Sequence, residues 1–339
     1  MERRKRQLAA ACHEPRRLPT RKESAMTMTR RELVEAAIAH QTTPRVPYLI
    51  DLCRESWEKL APTAGGRTCE QYLDNDVQDI AVPWWQWHNL AQDWTGVEVP
   101  TSRATVLGYG TYENLADNIK RLREHNDKYF LVRIYGSHFE KAQFARGFEN
   151  LMADIAGDYA FAKRLHRQII DRNLVMLENF LSIGEIDGVL LGSDWGSQRG
   201  PLIAPQVWDD LIRPGEQAEY DLIHAYGKDV WVHSCGDVQV LIPRLIEMGL
   251  DVLNPVQPEC MDLAELKRRF GARLTFWGGI STQNVLPFGS PQEVRDEARR
   301  VRDLMADGGG YIFAPSQSIQ DDVPVSNVEA LLSVAREGR

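Results

Sequence analysis

The chain has 339 residues, of which 43% are hydrophobic and 26% are charged. This is the composition of a globular protein with enough apolar material for a large core. Its formal net charge of −8 argues against a general nucleic-acid binder. No apolar run approaches the ~20 residues that a transmembrane helix requires. We therefore expect a small-molecule substrate and neither nucleic acid nor a membrane as partner.

The cysteines and the N-terminal residues give two further expectations. Five cysteines are few for a chain of this length, and an odd number cannot all pair, so the sequence does not indicate a disulfide framework. We therefore expect reduced thiols and a cytoplasmic location. Residues 1–28 are basic and lack the apolar segment of a secretory signal, so we predict a disordered tail. Residues 29–339 are then a single domain. The cysteines are Cys12, Cys53, Cys69, Cys235 and Cys260.

The first part of this domain is predicted to be mostly helical. A helix over 29–40 begins with Thr29 and has Glu32 three residues later, the pattern of a capping box. A strand follows over 45–51 and ends in Asp51. Residues 54–80 show a helical pattern, and a cluster of tryptophans over 84–88 is predicted to be irregular.

From residue 128 onward, predicted strands and helices alternate. Short, mostly apolar strands in such an alternation indicate a parallel sheet that is buried on both faces. At this length, with no GxGxxG after an early strand, we predict an α/β fold of one (β/α)8 TIM barrel with a mostly helical N-terminal extension. The predicted strands are 128–135, 188–194, 230–233, 252–255, 273–277 and 310–314. Helices are predicted up to about residue 180 and over 205–226, 238–248, 263–270, 291–306 and 325–336.

The most informative motif is His233-Ser-Cys235-Gly, at the end of a predicted strand. Residues two apart on a strand lie on the same side, and the carboxyl end of a barrel strand is where active sites form. An imidazole nitrogen and a thiolate sulfur together suit Zn²⁺. Glu259 or Cys260, beyond the next strand, would supply a third ligand, and Asp194 is a further candidate. A Cys–His nucleophile pair and a purely structural role are the competing interpretations.

Other polar residues and glycines follow neighbouring strands and complete the predicted site. Asp194 has an alternative interpretation as a turn or cap, Asn254-Pro255 as a turn signal, and Gly278-Gly279 as a tight bend. We assign catalytic or substrate-orienting roles to Asp51, Asp194 and Gln257. We assign cofactor contacts to Asn254, Gly278, Gly279 and Gln283.

Several of these segments together resemble the uroporphyrinogen decarboxylase superfamily. The resemblance implies a single barrel, often dimeric, with its cleft at the carboxyl ends of the strands. True decarboxylases carry an Arg-Gln-Ala-Gly-Arg motif near the N-terminus, whereas the corresponding stretch here, 48–55, does not. The matching segments are 192–196, 233–237, 251–258, 276–283 and 308–312 with 322–324.

A second branch of this superfamily, which resembles the chain more closely, contains the methylcobamide:coenzyme M and related corrinoid methyltransferases. Those proteins hold zinc through His-x-Cys and a later Cys. His233 and Cys235 match the first two positions, while the later loop reads Ser316-Gln-Ser318 and has no cysteine. The resemblance implies a zinc-dependent methyltransferase that acts with a corrinoid or a thiol, with a corrinoid protein as partner and a homodimeric state.

Two other functions stay open. One is a cofactor-free decarboxylase or lyase for a carboxylated substrate, in which Asp194 or Asp51 stabilises a protonated intermediate. The other is a non-catalytic barrel that binds a corrinoid or tetrapyrrole, an interpretation that the missing cysteine favours.

Overall fold

The computed structural model describes residues 28–84, 113–134 and 136–338. Within these ranges, seven parallel strands form one sheet in the order β1-β2-β3-β6-β7-β8-β9. A small antiparallel hairpin of β4 (Gly196–Ser197) and β5 (Gly200–Pro201) follows β3. The strands of the sheet are β1 (Val77–Ile80), β2 (Tyr129–Ile134), β3 (Gly188–Gly192), β6 (Asp229–His233), β7 (Val252–Val256), β8 (Thr275–Ile280) and β9 (Tyr311–Pro315).

Helices connect these strands, as parallel pairing requires. The N-terminal ones are α1 (Arg30–Ile38), α2 (Arg54–Leu60) and α3 (Cys69–Leu73), with a 3-10 turn at Ala61–Thr63. The others are α4 (Leu115–His125), α5 (His138–Arg146), α6 (Phe148–Gly157), α7 (Tyr159–Leu181), α8 (Pro205–Leu211), α9 (Arg213–Ala225), α10 (Ile242–Met248), α11 (Leu263–Phe270), α12 (Val285–Phe288), α13 (Pro291–Ala306) and α14 (Val325–Ala335).

An eighth segment, residues 47–52, closes the sheet into a barrel. Its main chain pairs with β9 through Phe313 N to Pro47 O (2.8 Å) and Leu49 N to Phe313 O (3.2 Å). On its other side, Asp76 N, just before β1, donates to Tyr48 O (3.1 Å). The predicted (β/α)8 barrel with a helical N-terminal region is therefore confirmed.

A buried carboxylate fixes this closure. Asp76 is fully buried and accepts two hydrogen bonds from Arg45, at 2.7 and 2.6 Å. Its Oδ2 also accepts from Tyr48 N at 3.0 Å. The bidentate pair satisfies the charge of Asp76 and ties the closing segment to the start of β1.

Aromatic rings fill the barrel below its mouth. The Trp231 ring lies 5.5 Å from Tyr129 and 5.6 Å from Trp277, centroid to centroid. The indole nitrogens are satisfied, since Trp231 donates to the Tyr129 hydroxyl and Trp277 donates to Leu49 O. Such an inward-facing layer is expected in a TIM barrel. Because side chains alternate along a strand, His233 lies on the same inner face as Trp231, nearer the mouth.

The prediction of helix throughout 54–80 is wrong. Gly65 and Gly66 both have positive φ, which interrupts the helical path after the 3-10 turn. A capping box of Thr68 and Gln71 then starts α3, and Asp74 ends it in the left-handed region at φ 52°. Strand β1 occupies 77–80.

Two predicted helices are also shorter than expected. The helix predicted over 205–226 is two helices that meet at Ile212, because Pro214 has no amide hydrogen and occupies the first turn of α9. The helix predicted over 238–248 begins at Ile242.

Several predictions concern residues outside the described ranges. The N-terminal tail lies outside them except for Met28, and of the tryptophan cluster only Trp84 lies inside, where it is buried against Phe180. The four cysteines in the described ranges are free thiols. No helix in the described part of the chain has the length and hydrophobicity needed to cross a bilayer.

Candidate metal centre

Three side chains with metal-ligating atoms meet at the barrel mouth. The Nε2 atom of His233, at the end of β6, lies 3.3 Å from the sulfur of Cys235. The same nitrogen lies 3.7 Å from Oδ1 of Asp194, which follows β3. The three ligand atoms all lie within 4.8 Å of one another. The structure thus places two predicted metal ligands beside a predicted catalytic residue.

Asp194 also ties the two loops of this site together. Its Oδ1 accepts a hydrogen bond from the Cys235 amide at 3.0 Å. Its backbone has φ 41°, a left-handed conformation that aspartate adopts more readily than most residues. Strained backbone of this kind is concentrated at functional sites.

The hairpin after β3 packs directly on the Cys235 loop. Asp237 N donates to Ser197 O at 2.8 Å. A Cβ atom at Gly236 would lie 2.6 Å from Ser197 O, so only glycine allows this approach. Gly196 is equally restricted, because a Cβ there would collide with Cys235 O. These contacts fix the position of the Cys235 main chain.

Asn254 orients the imidazole, and its predicted contact with a cofactor stays a prediction. Its Oδ1 lies 2.6 Å from His233 Nδ1, and its Nδ2 donates to Trp277 O at 3.2 Å. Since the amide nitrogen is committed to a carbonyl, Oδ1 accepts from Nδ1–H and leaves the Nε2 lone pair facing Cys235 and Asp194. This is the tautomer that a metal ligand requires.

Replacing Asn254 by alanine is expected to weaken zinc binding about 10- to 100-fold, because a ligand loses the partner that fixes its ring. Asn254→Asp, which keeps an acceptor at the same place, should lose less. A titration against a chromogenic chelator measures both. Equal affinity of Asn254→Ala and the parent protein would show that Asn254 has no positioning role.

Gln257 holds the same loop from the neighbouring strand end. Its Oε1 accepts from Gly236 N at 3.2 Å, and its Nε2 donates to Gln198 Oε1 at 3.1 Å. The side chain is buried. Gln257 therefore links the hairpin, the Cys235 loop and β7.

The two alternative third ligands, Glu259 and Cys260, lie outside the His233 group. Glu259 Oε1 accepts from Ser281 Oγ and, at 3.4 Å, from Asn284 Nδ2. The Cys260 thiol donates to Gln257 O at 3.7 Å. Asp194 is the carboxylate within reach of His233 Nε2.

Gln317 lies just after β9, at a strand end like the other predicted site residues, in the loop where the family resemblance places a later cysteine. Its Nε2 donates to the Cys235 sulfur at 3.4 Å. This contact spans 82 residues, so no local pattern predicts it.

Close packing against the neighbouring strand explains why Gly278, one of the two glycines predicted to bind a cofactor, is a glycine. Gly278 has φ 129°, and a Cβ there would lie 2.8 Å from Val256 N, where the β7–β8 register shifts. Gly279 has φ 99°. The backbone N–H of Gln283 donates a hydrogen bond to Ser281 Oγ at 3.3 Å. Contact of these residues with a cofactor stays a prediction.

Asp51 lies at the same mouth. It forms an ion pair with Arg133, whose Nη1 is 2.6 Å from Asp51 Oδ2. A second carboxylate, Asp79, lies 2.6 Å from Arg133 Nε. Asp51, His233, Asn254, Trp277 and Gln317 all line one small cavity. The predicted catalytic carboxylate Asp51 and the predicted metal ligand His233 therefore line the same cavity.

Burial disfavours a charge on both His233 and Cys235. Burial lowers the pKa of His233. Burial, followed by the charge of Asp194, raises the pKa of the Cys235 thiol to about 12. A nucleophilic cysteine needs the opposite shift, so this environment disfavours the Cys–His nucleophile pair. Coordination to a cation would ionise the thiol.

The fold and this site define a TIM barrel with three side chains at its mouth that could hold a metal ion. Residues 86–338 match the family model described as uroporphyrinogen decarboxylase (URO-D), and the chain belongs to that family. Among solved structures, 26 chains match. No curated protein matches the chain.

One of these structures is a methyltransferase from Methanosarcina mazei. It superposes with a TM-score of 0.65 at 16% sequence identity, and the match covers 91% of this chain and 98% of that chain. The two proteins share a fold over nearly their whole lengths.

Proposed function

We propose that this chain is a zinc-dependent methyltransferase that transfers a methyl group between a corrinoid and a thiol. The observation that carries the proposal is the convergence of His233 Nε2, Cys235 Sγ and Asp194 Oδ1 within 4.8 Å at the barrel mouth. The fold shared with a methyltransferase agrees with it.

The donor set fits zinc. Bonds of ~2.0–2.3 Å to nitrogen, oxygen and sulfur in a tetrahedral site separate the ligand atoms by ~3.3–3.7 Å. The observed separations from His233 Nε2 are 3.3 Å to Cys235 Sγ and 3.7 Å to Asp194 Oδ1. Three protein ligands leave a fourth position for substrate. Zinc in such a site lowers the pKa of a bound thiol and thereby favours its thiolate.

The remaining residues of the site bind and orient. Asn254 holds the His233 ring, and Gln257 holds the Cys235 loop against the hairpin. Asp51, which is paired with Arg133, and Trp277 also line the cavity. In our proposal, Asp51 and Gln257 orient the substrate, and Trp277 closes the floor of the cavity to water.

Methylcobalamin and a panel of small thiols, including coenzyme M, test the proposal. We expect the zinc-loaded protein to demethylate methylcobalamin in the presence of one of these thiols, with loss of the methylcobalamin absorbance. Cys235→Ala should abolish turnover, whereas Cys260→Ala should retain it. Failure with every thiol would contradict the proposal.

The same preparation separates the other two functions. Release of CO2 from a carboxylated tetrapyrrole by zinc-free protein would establish a decarboxylase, in which Asp194 or Asp51 stabilises the protonated intermediate. Tight corrinoid binding without turnover would establish a non-catalytic barrel. The corrinoid-protein partner and the homodimer stay predictions. A pull-down with a corrinoid protein tests the first, and sedimentation tests the second.

Gln317→Cys is expected to tighten zinc binding by about tenfold or more, because a thiolate would replace an amide beside the Cys235 sulfur and thiolates suit zinc. Gln320→Cys in the same loop is the matched control and should leave the affinity unchanged. Competition with a chromogenic chelator measures both dissociation constants. An unchanged affinity in Gln317→Cys would contradict the geometry described for this loop.

A further inference from the structure

A second group of metal-ligating side chains lies inside the wall of the barrel. His138 begins α5, and Glu216 and Glu219 lie one turn apart on α9. All three are fully buried. His138 Nδ1 is 3.2 Å from Glu216 Oε1 and 3.5 Å from Glu219 Oε2, and the three ligand atoms lie within 4.8 Å of one another.

The outer contacts of this group hold the two carboxylates in place. Asn173 donates to Glu219 Oε1 at 2.8 Å, and Ser137 Oγ donates to Glu219 Oε2 at 3.2 Å. Ser193 Oγ donates to Glu216 Oε1 at 3.1 Å. Oriented carboxylates with partners of their own are what surrounds a metal in a built site.

The inner atoms, in contrast, are unsatisfied. Among the described residues, neither ring nitrogen of His138 has a hydrogen-bond partner. Within the same ranges, Glu216 Oε2 has none either. His138 Nδ1 is close to both carboxylates but poorly aligned with them. Buried polar atoms without partners are rare and costly, so the arrangement calls for a group between these side chains.

Charge points to a cation as this group. Two carboxylates, Glu216 and Glu219, lie against one imidazole, and all three side chains are fully buried. A divalent cation with a neutral imidazole would balance both carboxylates.

We propose that His138, Glu216 and Glu219 form a second divalent-cation site, which takes a first-row ion such as Zn²⁺ through one imidazole nitrogen and two carboxylate oxygens. The separation of 3.5 Å falls within the ~3.3–3.5 Å between ligands in a tetrahedral site, and that of 3.2 Å is slightly shorter. The ion would join α5 to α9. Through Ser193 it would also brace the residue before Asp194, and so its role is structural.

A surface cleft comes close to this group. The cleft, of about 760 Å³, lies between α7 and the start of α9, and His166 and Gly215 are part of its lining. A Cβ at Gly215 would lie 3.3 Å from His138 Cε1, and the His166 ring lies 5.8 Å from the His138 ring, centroid to centroid. The side of the His138 ring that faces Gly215 and His166 is therefore the side nearest the cleft.

Elemental analysis of the His233→Ala/Cys235→Ala protein tests this site, because that variant lacks the site at the barrel mouth. After incubation with Zn²⁺ and removal of excess ion, we expect about one zinc per chain. Glu216→Gln in the same background should lose it, and Asp221→Asn, an exposed change on α9, should keep it. Zinc should also raise the unfolding temperature of the background variant but not that of the Glu216→Gln protein.

The proposal is overturned if the His233→Ala/Cys235→Ala protein binds no zinc, since that measurement does not depend on how well any α9 variant folds. It is also overturned if Glu216→Gln folds and retains the zinc. In either case a proton, and not a metal, holds the cluster together. These results leave the proposal for the barrel mouth untouched, which the methylcobalamin assay tests separately.

Discussion

His233→Ala is expected to lose one zinc equivalent per chain and all methyl-transfer activity. The reason is that His233 Nε2 is the atom against which both other ligands are placed, at 3.3 Å for Cys235 and 3.7 Å for Asp194. Loss of an outer partner of a metal ligand costs 10- to 100-fold in affinity, so loss of the ligand itself should cost more than about 100-fold. Chelator competition and elemental analysis measure the change.

Cys260→Ala is the matched control for this prediction. Its thiol hydrogen-bonds to Gln257 O and lies outside the ligand group, so the variant should retain zinc. Loss of zinc from Cys260→Ala, together with retention by His233→Ala, would place the metal on the Glu259–Cys260 side of the mouth and contradict the assignment made here.

Asp76→Ala is expected to lower the free energy of unfolding by about 3–5 kcal/mol, because it leaves a largely buried Arg45 without its bidentate partner. It also removes the acceptor of Tyr48 N, and of the hydrogen bonds described between Asp76 and Tyr48 only the main-chain one from Asp76 N to Tyr48 O remains. Urea unfolding followed by circular dichroism measures the change.

Asp171→Ala is the control for Asp76→Ala. Its ion pair with Arg167 is exposed and lies within one helix, so its removal should cost about 0.3–0.5 kcal/mol. Equal costs for the two variants would show that the Asp76 contact does not stabilise the barrel. Arg45→Ala/Asp76→Ala should be less destabilised than the sum of the two single variants.

The barrel could be predicted because its strands are short apolar runs. Such runs can be recognised in the sequence without knowledge of distant contacts. The structure of residues 54–80 could not be predicted, because the spacing of their apolar residues suits one continuous helix. The helix is broken by backbone conformations that this spacing does not show. Gly65, Gly66 and the left-handed Asp74 break the helix there. The closing segment at 47–52 was predicted as a strand, but its pairing with β9 depends on contacts more than 260 residues away.

The site was predictable where chemistry and spacing coincide on one strand. His233 and Cys235 are two residues apart, and the strand geometry alone places them together. Asp194 was one of several candidates for the third ligand. The sequence could not single it out, because its place beside His233 depends on contact between the loops after β3 and β6. Gln317 and His138 also follow predicted strands, but their contacts with Cys235 and with the two glutamates could not be found in this way, because nothing in a local pattern shows which polar side chains become buried together.

The near-ultraviolet absorption spectrum of the Co²⁺-substituted protein tests the metal centre most directly. Thiolate-to-cobalt charge transfer reports Co–S bonds alone, so a site of imidazole and carboxylates, such as His138 with Glu216 and Glu219, does not contribute. We predict a band of the intensity of one Co–S bond that disappears in Cys235→Ala and persists in Cys260→Ala. A protein that shows no such band, or a band that Cys235→Ala leaves unchanged, would contradict the metal centre at the barrel mouth.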